Sequence, residues 1–327
     1  METGLDWFAD AREFSRITSD ALTPTEFLEL ELQAYPSPFH LPVNVRIQPR
    51  ELPGIYRVQN SYHGHSEFEY FMDGVQRTIL WKYYDFNDYR IPVFLHFSGA
   101  VIMERKRPFE FRHHLSLYRS KVLVPNFIHE MWCDEESVVD TGAGNCWDLN
   151  EIKAKAMIKS RALRQEIELD LVNRFLAEKR NGLIIKDGSI FKATSAANVV
   201  GIIKSHNTLY LQPNHPRIQQ LVWAMAEFHR SMAFAMEMAE NGSVSHRVNS
   251  FYLRMHEPRS PEMGLLRVEY NGEQAPDDLS SWIIAEGRVI APTARWDTQI
   301  YPVQICENYL RTQLPSPQYL RAVLPAV

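Results

Sequence analysis

Two stretches of the chain carry an apolar run into the same dipeptide. "FEYFMDGVQRT" passes through Phe68, Tyr70 and Phe71 to Asp73-Gly74, and "LIIKDGSIF" passes through Ile184 and Ile185 to Asp187-Gly188. Asp-Gly is a common turn signal, so either one alone reads as a turn closing a strand. An ionised aspartate among buried residues is nevertheless costly unless it is paired or bound to a cation. Two of them, each ending a strand of one sheet, point to a shared site.

A third carboxylate follows from helix geometry. Residues 150 to 179 hold no proline or glycine and are rich in Ala, Lys, Glu and Leu, which predicts a long helix stopped near Asn181-Gly182. At about 100° per residue, Glu168 falls within about 60° of Phe175, Val172, Leu171 and Met157, whereas Glu166 and Asp170 lie about 160° away. A glutamate in an apolar stripe needs a reason. One reason is an ion pair with Arg164 or Arg161, which fall near the same face; the other is a metal held together with Asp73 and Asp187. Three converging carboxylates suit a hard divalent cation such as Mg²⁺ or Mn²⁺. Two such ions can clamp the attacking and leaving oxygens of a phosphodiester.

The elements that must position these residues read as a mixed α/β pattern. Strand signals at 67–74, 78–86 and 91–105 form an expected antiparallel meander, and 108–147 is irregular or partly helical. The long helix follows, then the strand ending at Asp187 and another over 198–206. Further expectations are a helix near Pro24–Ala34, helix over 215–241, strands at "SFYLRMHE" and "GLLRVEY", a strand or helix at "SWIIAEGRVIA", and a C-terminal helix after "YPVQICENYL". Three strands, a helix and a strand, then further alternation, is the order of a ribonuclease-H-like fold: a mixed sheet flanked by helices, here with helical and loop insertions. Residues 1–60 read as an N-terminal extension packing on a core of 61–327.

The composition bounds the class. Over 327 residues the apolar fraction is 45% and the charged fraction 23%, which gives a globular chain with a real core. No apolar run is long enough to span a bilayer, and the acidic N-terminus has no signal-peptide character, so no membrane partner and a cytoplasmic location are expected. Cys133, Cys146 and Cys306 make no ligand spacing and read as free thiols. A net charge of −5 argues against gripping nucleic acid through bulk electrostatics.

The ordered set "FMDG", "RQEIELDLV", "GLIIKDGSIF", "VVGIIKS", "SFYLRM", "LLRVEY" and "YPVQICENYL" resembles the NurA nuclease family, across about residues 65 to 312. The resemblance implies a ribonuclease-H-like deoxyribonuclease using manganese or magnesium on DNA ends and single strands. It also implies a homodimer docked on a HerA-type hexameric ATPase, in DNA end processing, repair or defence against phage. Carried over, Asp73 is the first-strand aspartate, Asp187 that of the Asp-Gly-Ser motif, and Glu168 the helix glutamate, with Glu166 as fallback. Lys204 matches a family lysine that could neutralise a phosphate, and Arg254, Arg267 and Glu269 match the late strands, as DNA contacts or as an ion-pair ladder. One departure stands out: where the family often has a histidine after "YP", this chain has Glu307, Asn308 and Tyr309.

The densest basic stretch, "MERKRPFEFRHH", interleaves Arg105, Lys106, Arg107 and Arg112 with Phe109 and Phe111, and could guide a DNA strand or be only a solvated strand end. His63 and His65 have a metal-like spacing in a polar loop, "TGAGN" lacks a full dinucleotide fingerprint, and no Walker A motif is present. Met225, Met232, Met236 and Met238 read as core on a helix, or as an adaptable surface for subunit contacts. Two rivals to a DNA nuclease stay open: a catalytically degraded adaptor that docks on the ATPase, and a ribonuclease-H-like hydrolase acting on RNA. The burial of Glu168 is the feature expected to favour the enzyme.

Overall fold

The computed structural model describes residues 7–9, 11–12, 22–29, 45–59, 66–86, 89–130, 137–144, 146–191, 194–204, 210–212, 214–240, 243–258, 260–287 and 300–324. His63, His65 and Cys133 lie outside them. The centre is a meander of three long strands, β4 (Phe68–Phe86), β5 (Tyr89–Arg107) and β6 (Glu110–Val124). Neighbouring strands are antiparallel, with Asp73 opposite Val101 on β5. On the other side of β4 lie β8 (Leu183–Asp187) and β9 (Val199–Ile203), both parallel to it, with Met72 beside Lys186 and Asp187 beside Ile202. The central order is therefore β6-β5-β4-β8-β9.

Antiparallel strands extend the sheet past β9 in the order β13 (Leu265–Tyr270), β12 (Ser243–Arg254), β11 (Phe234–Glu240) and β2 (Val45–Pro49). The short β7 (Val138–Asp140) closes the other edge beside β6. β1 (Leu22–Glu29) pairs with the far half of β4, β3 (Ile55–Arg57) pairs with β10 (His229–Ser231), and β10 pairs with β12. The N-terminal segment thus supplies strands to the sheet.

Alternation along the strands sends side chains to two helical layers. On one face Phe71, Val101, Ile185 and Ile202 pack against α4 (Pro276–Glu286) and α5 (Tyr301–Gln313), through Ile283, Val303, Cys306 and Leu310. On the other, Met72, Ala100, Ile102 and Ile184 meet Ile167, Leu171, Val172 and Phe175 of α2 (Leu149–Ala177). Asp148 caps α2 by accepting from the backbone N–H groups of Asn150 and Glu151, and its buried positions recur every three or four residues from Ile152 to Phe175. Three further helices are α1 (Asn126–His129), α3 (Pro216–Trp223) and α6 (Pro317–Val323). No helix among the described residues is long and apolar enough to cross a membrane.

The structure corrects four expectations from sequence. Asp73-Gly74 is no strand end, because β4 continues unbroken to Phe86 with β5 pairing its whole length. The region 215–241 is helical only to Trp223; Phe234, Met236 and Met238 then alternate along β11, where pairing with β2 and β12 outweighs the helix propensity of Ala and Met. Residues 22–29 form a strand for the same reason, held by β4. Residues 110–124, expected to be irregular or partly helical, are β6, a strand of half-buried residues in which period-2 patterning is weak.

Candidate active site

Parallel pairing of β4 and β8 sets the site. Met72 lies beside Lys186, so Asp73 and Asp187 come next on neighbouring strands and share the face of Phe71 and Ile185. Asp73 is buried, and its one hydrogen-bond partner among the described residues is the N–H of Gly74, at 2.7 Å. Burial pushes its carboxyl well above the usual range; Asp187 pushes it further, Lys204 eases it, and Glu168 and Glu307 add to the rise. A buried carboxyl surrounded by other carboxylates and lacking a cation of its own is a position that a cation would relieve.

Asp187 ends β8 as the sequence implied. Gly188 follows with φ +94°, a backbone turn that a side chain would strain, and its N–H reaches Ile202 O at 2.7 Å. Oδ2 of Asp187 accepts from Nζ of Lys204 at 2.8 Å. Lys204 is therefore engaged with Asp187 in this arrangement rather than standing free for a phosphate.

Glu168 reaches the site from the opposite face. A Cβ at Gly74 would sit 2.4 Å from its Oε1, so only glycine lets the glutamate lie over β4 here. Its Oε1 accepts from Arg164 at 2.8 Å and its Oε2 from Nζ of Lys186 at 2.6 Å. Lys186 also donates to the carbonyl of Asp187 at 2.9 Å. The pairing with Arg164 that helix spacing allowed is thus present, and burial of Glu168 no longer discriminates an enzyme from a scaffold.

Lys186 was missed in the sequence, although strand alternation from Ile184 places it facing the glutamate. Glu269 serves the loop after β8: its Oε2 accepts from Ser189 Oγ at 2.7 Å, Ile190 N–H at 2.8 Å and Phe191 N–H at 3.1 Å, while Oε1 pairs with Arg267 at 3.0 Å. A cleft of about 490 Å³ opens around the end of β8, lined by Arg164, Glu168, Lys186, Asp187, Ser189 and Phe191 among others.

The other candidates spread out. Glu166 is on the solvent face, 3.8 Å from Arg119. Glu307, on α5, acts on Asp73 through its charge and pairs with Arg311 at 2.7 Å. Asn308 is exposed, and Tyr309 packs beside His113. Arg254 is fully buried, donating to the carbonyls of Val222, Trp223, Pro261 and Met263, and Arg267 is buried beneath Tyr210. Both interior arginines are out of reach of a nucleic-acid strand, which corrects their reading as DNA contacts. Of the basic stretch, Arg105 is clamped by Glu286, Lys106 pairs with Glu104 and Arg107 lies 3.6 Å from Glu110, while Arg112 is exposed.

Among the described residues no three His, Cys, Asp or Glu side chains are gathered as a ready metal cage. Asp73 and Asp187 share one face and Glu168 approaches from the other over Gly74; oxygen donors of this kind suit a hard divalent cation, and here Lys204 and Lys186 hold the oxygens of Asp187 and Glu168. Compared with known proteins, the chain matches no family model, and no curated protein matches it.

Proposed function

We propose that this protein is a divalent-metal-dependent deoxyribonuclease with a ribonuclease-H-like core, working as a homodimer with a HerA-type ATPase. The observation that carries the reading is the pair Asp73 and Asp187, side by side on parallel neighbouring strands, with Asp73 buried and in no ion pair among the described residues, the nearby Lys204 being bonded to Asp187. The fold reading is supported by the central order β6-β5-β4-β8-β9, with three antiparallel strands followed by two parallel ones and α2 entering between β7 and β8.

Asp73, Asp187 and Glu168 would hold Mn²⁺ or Mg²⁺, with Glu307 in reserve, one of the three residues, with Asn308 and Tyr309, that stand where the resembling family often has a histidine. When bound, such an ion supplies Lewis-acid stabilisation of a phosphodiester under attack. The chain's own residues do the rest. Lys186 and Arg164 fix the glutamate, Glu269 pins the loop that follows Asp187, and Lys204 moves between Asp187 and the substrate's phosphate charge.

A second reading rests on the same lysines. Lys186 and Lys204 already neutralise Glu168 and Asp187, which is what a scaffold without metal would need. It would then dock on the ATPase without cutting. Cleavage assays with Mn²⁺ or Mg²⁺ on DNA and RNA, with and without the ATPase, separate the readings. The nuclease cuts DNA and loses activity on Asp73→Asn; the adaptor cuts nothing while still binding the ring, and cutting of RNA alone would move the assignment to a ribonuclease.

A further inference from the structure

The β5–β6 hairpin turns in two residues, since Arg107 pairs with Glu110. Pro108 takes the first turn position, and Phe109 takes the second with φ +66°, a conformation that normally calls for glycine or asparagine. A strained phenylalanine whose ring packed into the core would be explained by burial. Phe109 is instead 69% exposed. Backbone strain spent on presenting an aromatic ring to solvent marks a position where the ring has something to meet.

Phe109 stands at the rim of a cleft of about 560 Å³. Tyr301, the first residue of α5, lies edge-on to Phe109 at 6.4 Å and to Phe111 at 6.2 Å, so aromatic rings line one wall. The guanidinium of Arg105 lies over Phe71 and Phe111, 4.8 and 5.7 Å from their centroids, and fixes that wall from behind. Lys106 and Arg107 supply cations at the mouth, and Glu67, Glu69 and Glu286 offset them. The cleft is therefore aromatic and near neutral.

We propose that this cleft is a stacking site for the unpaired bases of a nucleic-acid strand end, with Phe109 and Tyr301 as the platform. The identity of the ligand rests on the nuclease reading, while the site itself rests on the hairpin geometry. Asp73 faces Val101 on β5, six residues or about 20 Å of strand from Arg107 at the base of the turn, so a strand stacked at Phe109 reaches the acidic pair across several nucleotides. Stacking tolerates any base, and with few phosphate contacts the binding is only weakly salt-dependent.

The test is fluorescence anisotropy of a labelled single-stranded oligothymidine, in EDTA so that nothing is cut, with a blunt duplex as control. Wild type is expected to bind the single strand, losing less than about tenfold between about 50 and 200 mM salt. Phe109→Gly relieves the backbone strain, so its melting temperature holds or rises, while its affinity for the single strand falls about tenfold or more. Phe109→Trp keeps the platform and retains binding. Equal binding by wild type and Phe109→Gly would overturn the proposal, as would absence of wild-type binding. So would a Phe109→Gly defect seen only as a change in oligomeric mass, which would make the ring a contact between copies. Metal-dependent DNA cleavage by the same wild-type preparation keeps the two readings apart. Cutting with binding indifferent to Phe109 sinks the stacking site alone, and no cutting either with or without the ATPase sinks the nuclease.

Discussion

Nζ of Lys186 lies 2.6 Å from Oε2 of Glu168, with 5% and 3% of the two side chains exposed. The lysine comes from a strand and the glutamate from a helix on the facing layer, so the pair ties α2 to β8 at the end where Asp187 stands. Removing Lys186 leaves Oε2 of the buried glutamate without its donor, while Arg164 still meets the charge through Oε1. Lys186→Met is accordingly expected to cost about 1–3 kcal/mol in urea unfolding, and Lys186→Met with Glu168→Gln distinctly less than the sum of the two single changes. A cost below about 1 kcal/mol for the single variant would place the pair in solvent-like surroundings.

Gly74 is the passage for that glutamate. A Cβ there would approach Oε1, Cγ and Cδ of Glu168 at 2.4, 2.7 and 2.9 Å. Gly74→Ala is expected to destabilise by about 1–3 kcal/mol, and to do so much less when Glu168 is already Ala. Additive effects in that double-mutant cycle would mean that the two residues do not meet.

Asp73 makes stability depend on pH in a defined direction. Its folded value is raised above the ordinary 3.8 by burial, then by Asp187. The fold therefore prefers the protonated form: this contribution is fully present below about pH 3.9 and is lost as pH rises through the higher folded value. Asp73→Asn, which is always neutral, should be more stable than wild type at pH 8, with the gap closing as pH falls toward 4. Thermal melts across that range report it, and a variant less stable than wild type at pH 8 would contradict it. Stabilisation together with loss of metal-dependent cutting is the combination expected of a site residue held at a cost to the fold.

Glu269 is expected to govern the loop after β8. Glu269→Ala strips the acceptor from the Ile190 and Phe191 amides and from the Ser189 hydroxyl, and leaves Arg267 without its carboxylate. Hydrogen exchange at the Ile190 and Phe191 amides should accelerate strongly while Ile184 and Ile185 on β8 stay protected. Uniform acceleration would mean that the substitution unfolds the sheet instead.

Parts of this arrangement were legible in the sequence and parts were not, for physical reasons. Asp187 at a strand end and Glu168 in a buried stripe follow from local periodicity, as does the pairing of Glu168 with Arg164 one helical turn away. Asp73 in mid-strand does not, because Asp-Gly signals a turn unless neighbouring strands on both sides hold the backbone extended, as β5 and β8 do. The strand at Phe234–Glu240 was hidden by methionine and alanine, which favour helix until β2 and β12 supply partners. The face of Lys186 follows from strand alternation, but its meeting with Glu168, and the reach of Glu269 to the loop after β8, needed the packing and register between elements, which no local pattern carries. Arg254 read as a DNA contact or as part of an ion-pair ladder and is an interior clasp on four carbonyls, a role that only the packing of distant segments can create.

The most direct measurement is cleavage of linear duplex and single-stranded DNA by purified protein with Mn²⁺ or Mg²⁺, with and without the ring ATPase, for wild type, Asp187→Asn and Phe109→Gly. A metal-dependent nuclease built on Asp73 and Asp187 cuts as wild type and is silent as Asp187→Asn, with Phe109→Gly still folded and its cutting of single strands weakened. Cutting that survives Asp187→Asn, or no cutting by wild type in any combination of metal and partner, would contradict that assignment.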